Sequence, residues 1–143
     1  VNGDGLNDLI VGQAHGYGLD WLEQCLDAAG NRTWVRHTID PANSQYHDLI
    51  WVDLDGDGRC ELLTGKRYRA HGDNDPGSFD PVGIYYFQWT GECFVKQVID
   101  WGPARVGKGC GIHMAVADLD GDGRLDIVAP GKDGLYVFYN QGL

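Results

Sequence analysis

Apolar and β-branched residues along this chain come in short runs, each bounded by glycine, aspartate, asparagine or proline. Runs of that length, punctuated by turn formers, predict strands rather than helices. They fall at 8–13, 19–26 and 34–39, then at 48–54, 60–65, 84–89 and 94–99, and finally at 112–119, 125–130 and 135–140. The nearest approach to a helical pattern is "LDWLEQCLDAAG" at 19–30. Its aromatic content and its place in the series predict a strand there too, with a short helix as the alternative.

The heptapeptide "DLDGDGR" occurs at 53–59 and again at 118–124, and the chain opens on "VNGDGL", a copy without its first residue. Alignment puts Asn2, Asp55 and Asp120 in register, separated by 53 and then 65 residues. Self-similarity at such a period signals a repeat architecture. Each acidic segment joins two apolar runs, so each predicts a hairpin loop. Sorting the strands by repeat position gives one complete four-stranded antiparallel unit flanked by two units of three strands. Four-stranded sheets repeated in this way are the blades of a β-propeller. The expected fold is all-β, a β-propeller fragment of about three four-stranded antiparallel blades, the first and last incomplete. Blade 1 covers about 1–40, blade 2 about 46–100 and blade 3 about 111–143. A ring takes about four to eight blades. The chain is therefore expected to belong to a longer protein, or to assemble with copies of itself.

Composition refines this picture at two points. The formal net charge is −10, with 21 acidic against 11 basic side chains. Ten of the acids lie in the three repeated segments, so the other 11 balance the lysines and arginines. The acidity belongs to particular loops, and no basic run of the kind a nucleic-acid backbone needs is present. The four cysteines, Cys25, Cys60, Cys93 and Cys110, show no metal-finger spacing. They allow two disulfides or none, and Cys60, inside a predicted strand, reads as a buried thiol. No apolar run approaches the roughly 18 residues that span a bilayer.

The acidic pattern, D-x-D-G-D-G-x-x-[DE], sets oxygen ligands at alternate positions around a tight turn. Asp53, Asp55 and Asp57 present carboxylates, Arg59 its carbonyl, and Glu61 a closing carboxylate. Asp118, Asp120, Asp122, Arg124 (carbonyl) and Asp126 repeat the set, while the first copy keeps Asn2, Asp4, Leu6 (carbonyl) and Asp8. Oxygen-only ligation with several carboxylates selects Ca²⁺ over zinc, copper or magnesium. An EF-hand is excluded, since its twelfth position needs an acid where this chain has Thr64 and Ala129. Asp and Gly are also ordinary turn formers, but four carboxylates within nine residues, twice over, call for a cation. The expected role of the ion is to staple strand pairs.

If the acidic loops all lie at one end of the blades, strand order sends His15, His47, His71 and His113 to the other, with His37 alone in mid-strand. The long loop "KRYRAHGDNDPGSFDP" at 66–81 falls there as well. Long loops in compact domains are often functional. His47, His71, Asp73 and His113 are the candidate catalytic residues. His71, Asp73, Asp75 and Asp80 offer groups for a metal or a sugar, and Lys66, Arg67 and Arg69 groups for carboxylates. Convergence of His47, His71 and His113 on one pocket is the spatial expectation.

The segments "WVDLDGDGRCELLTG" (51–65), "VADLDGDGRLDIVAPGKDGLYVFYNQG" (116–142) and "VNGDGLNDLIVG" (1–12) resemble the FG-GAP/VCBS-type repeats of β-propeller proteins, related to the integrin α-chain propeller. "TGKRYRAHGDNDPG" (64–77) resembles a version in bacterial multi-domain secreted proteins, near the propellers of fungal aldos-2-ulose dehydratases. The resemblance implies a calcium-stabilised module that binds a carbohydrate or protein ligand, part of a larger extracellular or periplasmic protein. The alternative is the propeller domain of a carbohydrate-active lyase or dehydratase with a His/Asp site opposite the calcium loops. A purely structural repeat is a third class. No Ser/His/Asp order, nucleophile elbow or phosphate loop supports hydrolase or nucleotide chemistry.

Overall fold

The structure, a computed structural model, describes residues 1–69 and 71–142. Its strands are β1 (Leu9–Gly12), β2 (Tyr17–Leu26), β3 (Arg32–Ser44), β4 (Tyr46–Val52), β5 (Glu61–Lys66), β6 (Val82–Trp89), β7 (Phe94–Gly102), β8 (Ala115–Ala117), β9 (Asp126–Gly131) and β10 (Gly134–Phe138). They form three antiparallel sheets, ordered β1-β2-β3, β4-β5-β6-β7 and β8-β9-β10. This is the all-β propeller fragment that the repeat predicted, with one complete blade between two of three strands. The segment at 19–30 is not a helix: it is strand β2 as far as Leu26 and then a turn, and Leu22 pairs with Leu9 on one side and Arg36 on the other. A 3-10 turn at His71–Asp73 is the sole helical element among the described residues, so none is long and apolar enough to cross a membrane.

Several strands differ from the expected bounds by a few residues, β7 running on to Gly102, and the largest departures are in β8 and β3. β8 keeps only Ala115–Ala117 of the predicted 112–119, because side chains capture the flanking backbone donors. Met114 N–H donates to Asp48, and Leu119 N–H donates to Asp126 Oδ2 at 2.9 Å. β3 runs on to Ser44, well past residue 39, leaving Gln45 alone between the first and second blades.

Alternation along the strands of blade 2 gives its sheet two buried faces. Leu62, Tyr85 and Phe87 pack toward blade 1 with Leu19 and Tyr46. Leu63 and Ile84 pack the other way, with Cys110, Met114, Ile127 and Ala129. Consequently every residue of β5 is buried, the sandwich packing expected of neighbouring blades. The four cysteines are free thiols, Cys110 fully buried; burial pushes its thiol up to about 12.

Close approach of the blades depends on small residues. A Cβ on Gly12 would lie 2.7 Å from the carbonyl oxygen and 2.8 Å from Cβ of Tyr46. Gly65, the equivalent position one repeat on, would meet Gly83 O at 2.8 Å and Cys110 Sγ at 3.1 Å. Gly12→Ala is therefore expected to push blades 1 and 2 apart and cost about 1–3 kcal/mol. Urea unfolding checks this: a midpoint equal to that of the parent would show that the seam is not close-packed there.

Candidate functional site

Each complete acidic loop is folded around its leading aspartate. Asp53 accepts from the N–H of Gly56 (2.7 Å) and Gly58 (2.9 Å). Asp118 accepts from Gly121 (2.7 Å) and Gly123 (2.9 Å) in the same way. Asp57 Oδ1 then takes Arg59 N–H at 2.7 Å, and Asp122 Oδ1 takes Arg124 N–H at 2.9 Å. The geometry requires φ of 77° and 88° at Gly56 and Gly58, and 82° and 88° at Gly121 and Gly123. Side chains rarely adopt such angles, which is why glycine alternates with aspartate.

The result is a triad of carboxylates, Asp53, Asp55 and Asp57, each with an oxygen within 4.8 Å of the others; Asp118, Asp120 and Asp122 form its twin. Like charges at about 4 Å repel by about 1 kcal/mol in water and by more near a protein surface. Oxygen-only donors converging on one point suit a hard divalent cation.

The closing acids take a different position from that of a simple fourth carboxylate. Glu61 and Asp126 are buried and stand outside the triads. Glu61 Oε2 accepts from Leu54 N–H at 2.8 Å, and Asp126 Oδ2 from Leu119, so each ties the two sides of its hairpin. Burial raises the Glu61 carboxyl, against the Leu54 N–H, and the charges of Asp55, Asp57 and Asp53 raise it further. The Arg124 guanidinium donates to Asn140 O (2.7 Å) and pairs with Asp122.

The first loop is arranged otherwise. Asn2 Nδ2 donates to Glu23 (2.9 Å), Leu6 N–H donates to Asp4 Oδ1 (2.8 Å), and both Asp8 oxygens are engaged, by Gln24 N–H and the Val1 amino group. Asn2, Asp4, Leu6 and Asp8 are thus near one another without forming a carboxylate triad.

At the opposite end of the blades three of the four histidines come together. The rings of His15 and His71 stack at 4.5 Å, and His47 sets its ring against His15 at 5.2 Å, near perpendicular. Asp75 Oδ2 lies 3.1 Å from His15 Nδ1 and 3.0 Å from His71 Nδ1. Arg67 donates to His47 Nε2 at 2.9 Å. Burial first, and then the charges of Arg67, His15 and His71, lower the His47 pKa.

Two candidates fall outside this group. His113, exposed, lines a separate cavity of about 310 Å³ with Cys110, Pro130 and Lys132. It belongs to the next blade, and Arg67, which also lines that cavity, stands between it and His47. The expected convergence of His47, His71 and His113 is corrected to His15, His47 and His71. Asp73 is paired with Arg69, and Asp75 takes its place beside the imidazoles.

Three antiparallel sheets of propeller type, two of them with the same acidic hairpin loop between their first two strands, define a propeller-type repeat module. Residues 1–64, which span blade 1 and the first hairpin of blade 2, match the family model of the FG-GAP-like repeat. The chain thus carries an FG-GAP-type repeat. No curated protein and no solved structure gives a significant match.

Proposed function

We propose that this chain is a calcium-stapled stretch of β-propeller, serving a larger extracellular protein as a module that binds a carbohydrate or protein ligand. The observation that carries the reading is the recurrence of one carboxylate cradle, Asp53/Asp55/Asp57 and Asp118/Asp120/Asp122, with matching hydrogen bonds and glycine angles. Asp53, Asp55 and Asp57 hold one ion, with the Arg59 carbonyl as a further donor, while Glu61 braces the hairpin behind them through Leu54 N–H. Asp118, Asp120 and Asp122, with the Arg124 carbonyl, hold the second, while Asp126 braces its hairpin through Leu119 N–H and Asn140 N–H. Each ion locks the loop of a hairpin whose strands line the interblade core, so its role is structural. Asp55, Asp57, Asp118, Asp120 and Asp122 are exposed, which favours the modest affinities of extracellular calcium modules, about 10⁻⁴–10⁻³ M. The first loop has no carboxylate triad and is assigned no ion.

Isothermal titration of calcium-free protein is expected to give two equivalents of Ca²⁺ per chain. Asp55→Ala and Asp120→Ala should each remove about one. A calcium-free protein that takes up no Ca²⁺ at millimolar concentration would overturn the reading.

A further inference from the structure

A second ligand set lies on the face away from the acidic loops, and its chemistry differs from theirs. His15 projects from the β1–β2 loop of blade 1, while His71 and Asp75 come from the long β5–β6 loop of blade 2. One ligand atom from each lies within 4.8 Å of the other two. The Nδ1-to-Oδ2 separations of 3.1 and 3.0 Å are close to a ligand–ligand edge in a tetrahedral zinc site, about 3.3 Å for bonds of about 2.0–2.1 Å. An ion replaces the two Nδ1 protons now shared with Asp75, and each proton moves to the Nε2 of its own ring. Two imidazoles and one carboxylate suit a zinc-class ion, whereas the all-oxygen loops suit calcium.

The surrounding structure holds these groups in place. Gln45 joins the blades at a left-handed φ of 61°, although fully buried. Its N–H donates to Gly16 O beside His15 (3.0 Å), and its carbonyl accepts from Arg67 N–H (3.1 Å). Its side-chain amide donates to Ser78 Oγ at 3.1 Å, and that hydroxyl in turn donates to the Asp75 carbonyl at 2.7 Å. One strained residue therefore ties together the segments carrying His15, His47 and Asp75. His71 has a left-handed φ of 49° as well. Strain of this kind gathers at functional sites. His47, its Nε2 lone pair taken by Arg67, packs on the His15 ring and positions it.

We propose that His15 Nδ1, His71 Nδ1 and Asp75 Oδ2 bind one divalent d-block cation of the zinc class, leaving a fourth position to solvent. The side chains of His15 and His71 are 53% and 54% exposed, so the ion is reachable from outside. Three protein ligands with one open position are the pattern of a reactive, not a purely structural, zinc centre.

Cobalt(II) is the probe, because four-coordinate cobalt absorbs far more strongly in the visible than the octahedral aqua ion. Protein saturated with Ca²⁺ is titrated with Co²⁺, expecting one equivalent with an intense band that Zn²⁺ abolishes. His71→Ala and Asp75→Asn should each weaken binding at least tenfold, whereas His113→Ala should leave it unchanged. His15→Ala, at an exposed loop position, gives the same test should the long-loop variants lose their fold. Asp55→Ala and Asp120→Ala should not alter the band, so this site and the acidic loops stand or fall separately. Only weak octahedral absorption, or a band unaffected by His15→Ala, would overturn the proposal.

Discussion

Chelation of calcium is expected to lower the melting temperature by on the order of 15 °C. An ion present at one hundred times its Kd, about 10–100 mM Ca²⁺ for these loops, stabilises the state that binds it by about 2.7 kcal/mol. Two loops give roughly 5 kcal/mol, and a domain of this size loses about 3–4 °C per kcal/mol. The apo state is further weakened by mutual repulsion within Asp53/Asp55/Asp57 and Asp118/Asp120/Asp122. Repulsion between exposed charges is screened by salt. Sodium chloride should therefore recover part of the loss in chelated protein while adding little to calcium-loaded protein. Differential scanning calorimetry with and without chelator, at two salt concentrations, makes the comparison. An unchanged transition on chelation would mean that the aspartates serve only as turn formers.

What the sequence reveals of this molecule follows the range of the interactions involved. The ten strands and the acidic hairpins depend on local alternation and turn chemistry, and they were legible. Repetition added the blade grouping, which no single strand shows. Strand order also placed the histidines at one end of the blades, but it could not choose among them. His113 and His47 occupy comparable places in successive blades, and only the distance between blades separates them. Asp73 and Asp75 lie in one run of turns, and the choice between them rests on Arg69, which captures Asp73. The truncation of β8 was hidden for a like reason: Asp48 reaches Met114 across 66 positions of sequence. In the sequence, Gln45 is a polar residue between the expected strands 34–39 and 48–54, with nothing to set it apart. Its role becomes visible only when Gly16, Arg67 and Ser78 surround it.

The same limit hid a buried polar anchor between blades 1 and 2, which yields the second prediction of large effect. Asp40, buried in β3, accepts at Oδ2 from Lys96 (2.6 Å), Tyr46 (2.8 Å) and Asn43 (2.8 Å), and at Oδ1 from Ala42 N–H (2.8 Å). The Lys96 ammonium lies 4.0 Å from the centroid of Tyr85. Burial alone would raise the carboxyl, but Lys96, Asn43, Ala42 and Tyr46 together hold it down, at about 2 against an ordinary 3.8. Lys96→Met should destabilise by ~3–5 kcal/mol, since it leaves a buried charge without its partner. Adding Asp40→Asn to that variant should restore part of the loss, because the uncompensated charge is gone. A carboxyl depressed on folding contributes its full stability above the unfolded value, near 3.8, and loses it as pH falls through the folded value near 2. The stability difference between the parent and Asp40→Asn, measured by urea unfolding in chelator, should therefore be level from pH 7 to about pH 5. It should then shrink steadily between about pH 4 and pH 2. Working in chelator keeps calcium release from the acidic loops out of the comparison, and their own titration cancels between the two proteins. A difference that stays the same from pH 7 to pH 2 would show that Asp40 holds the blades together by its shape and hydrogen bonds, without its charge.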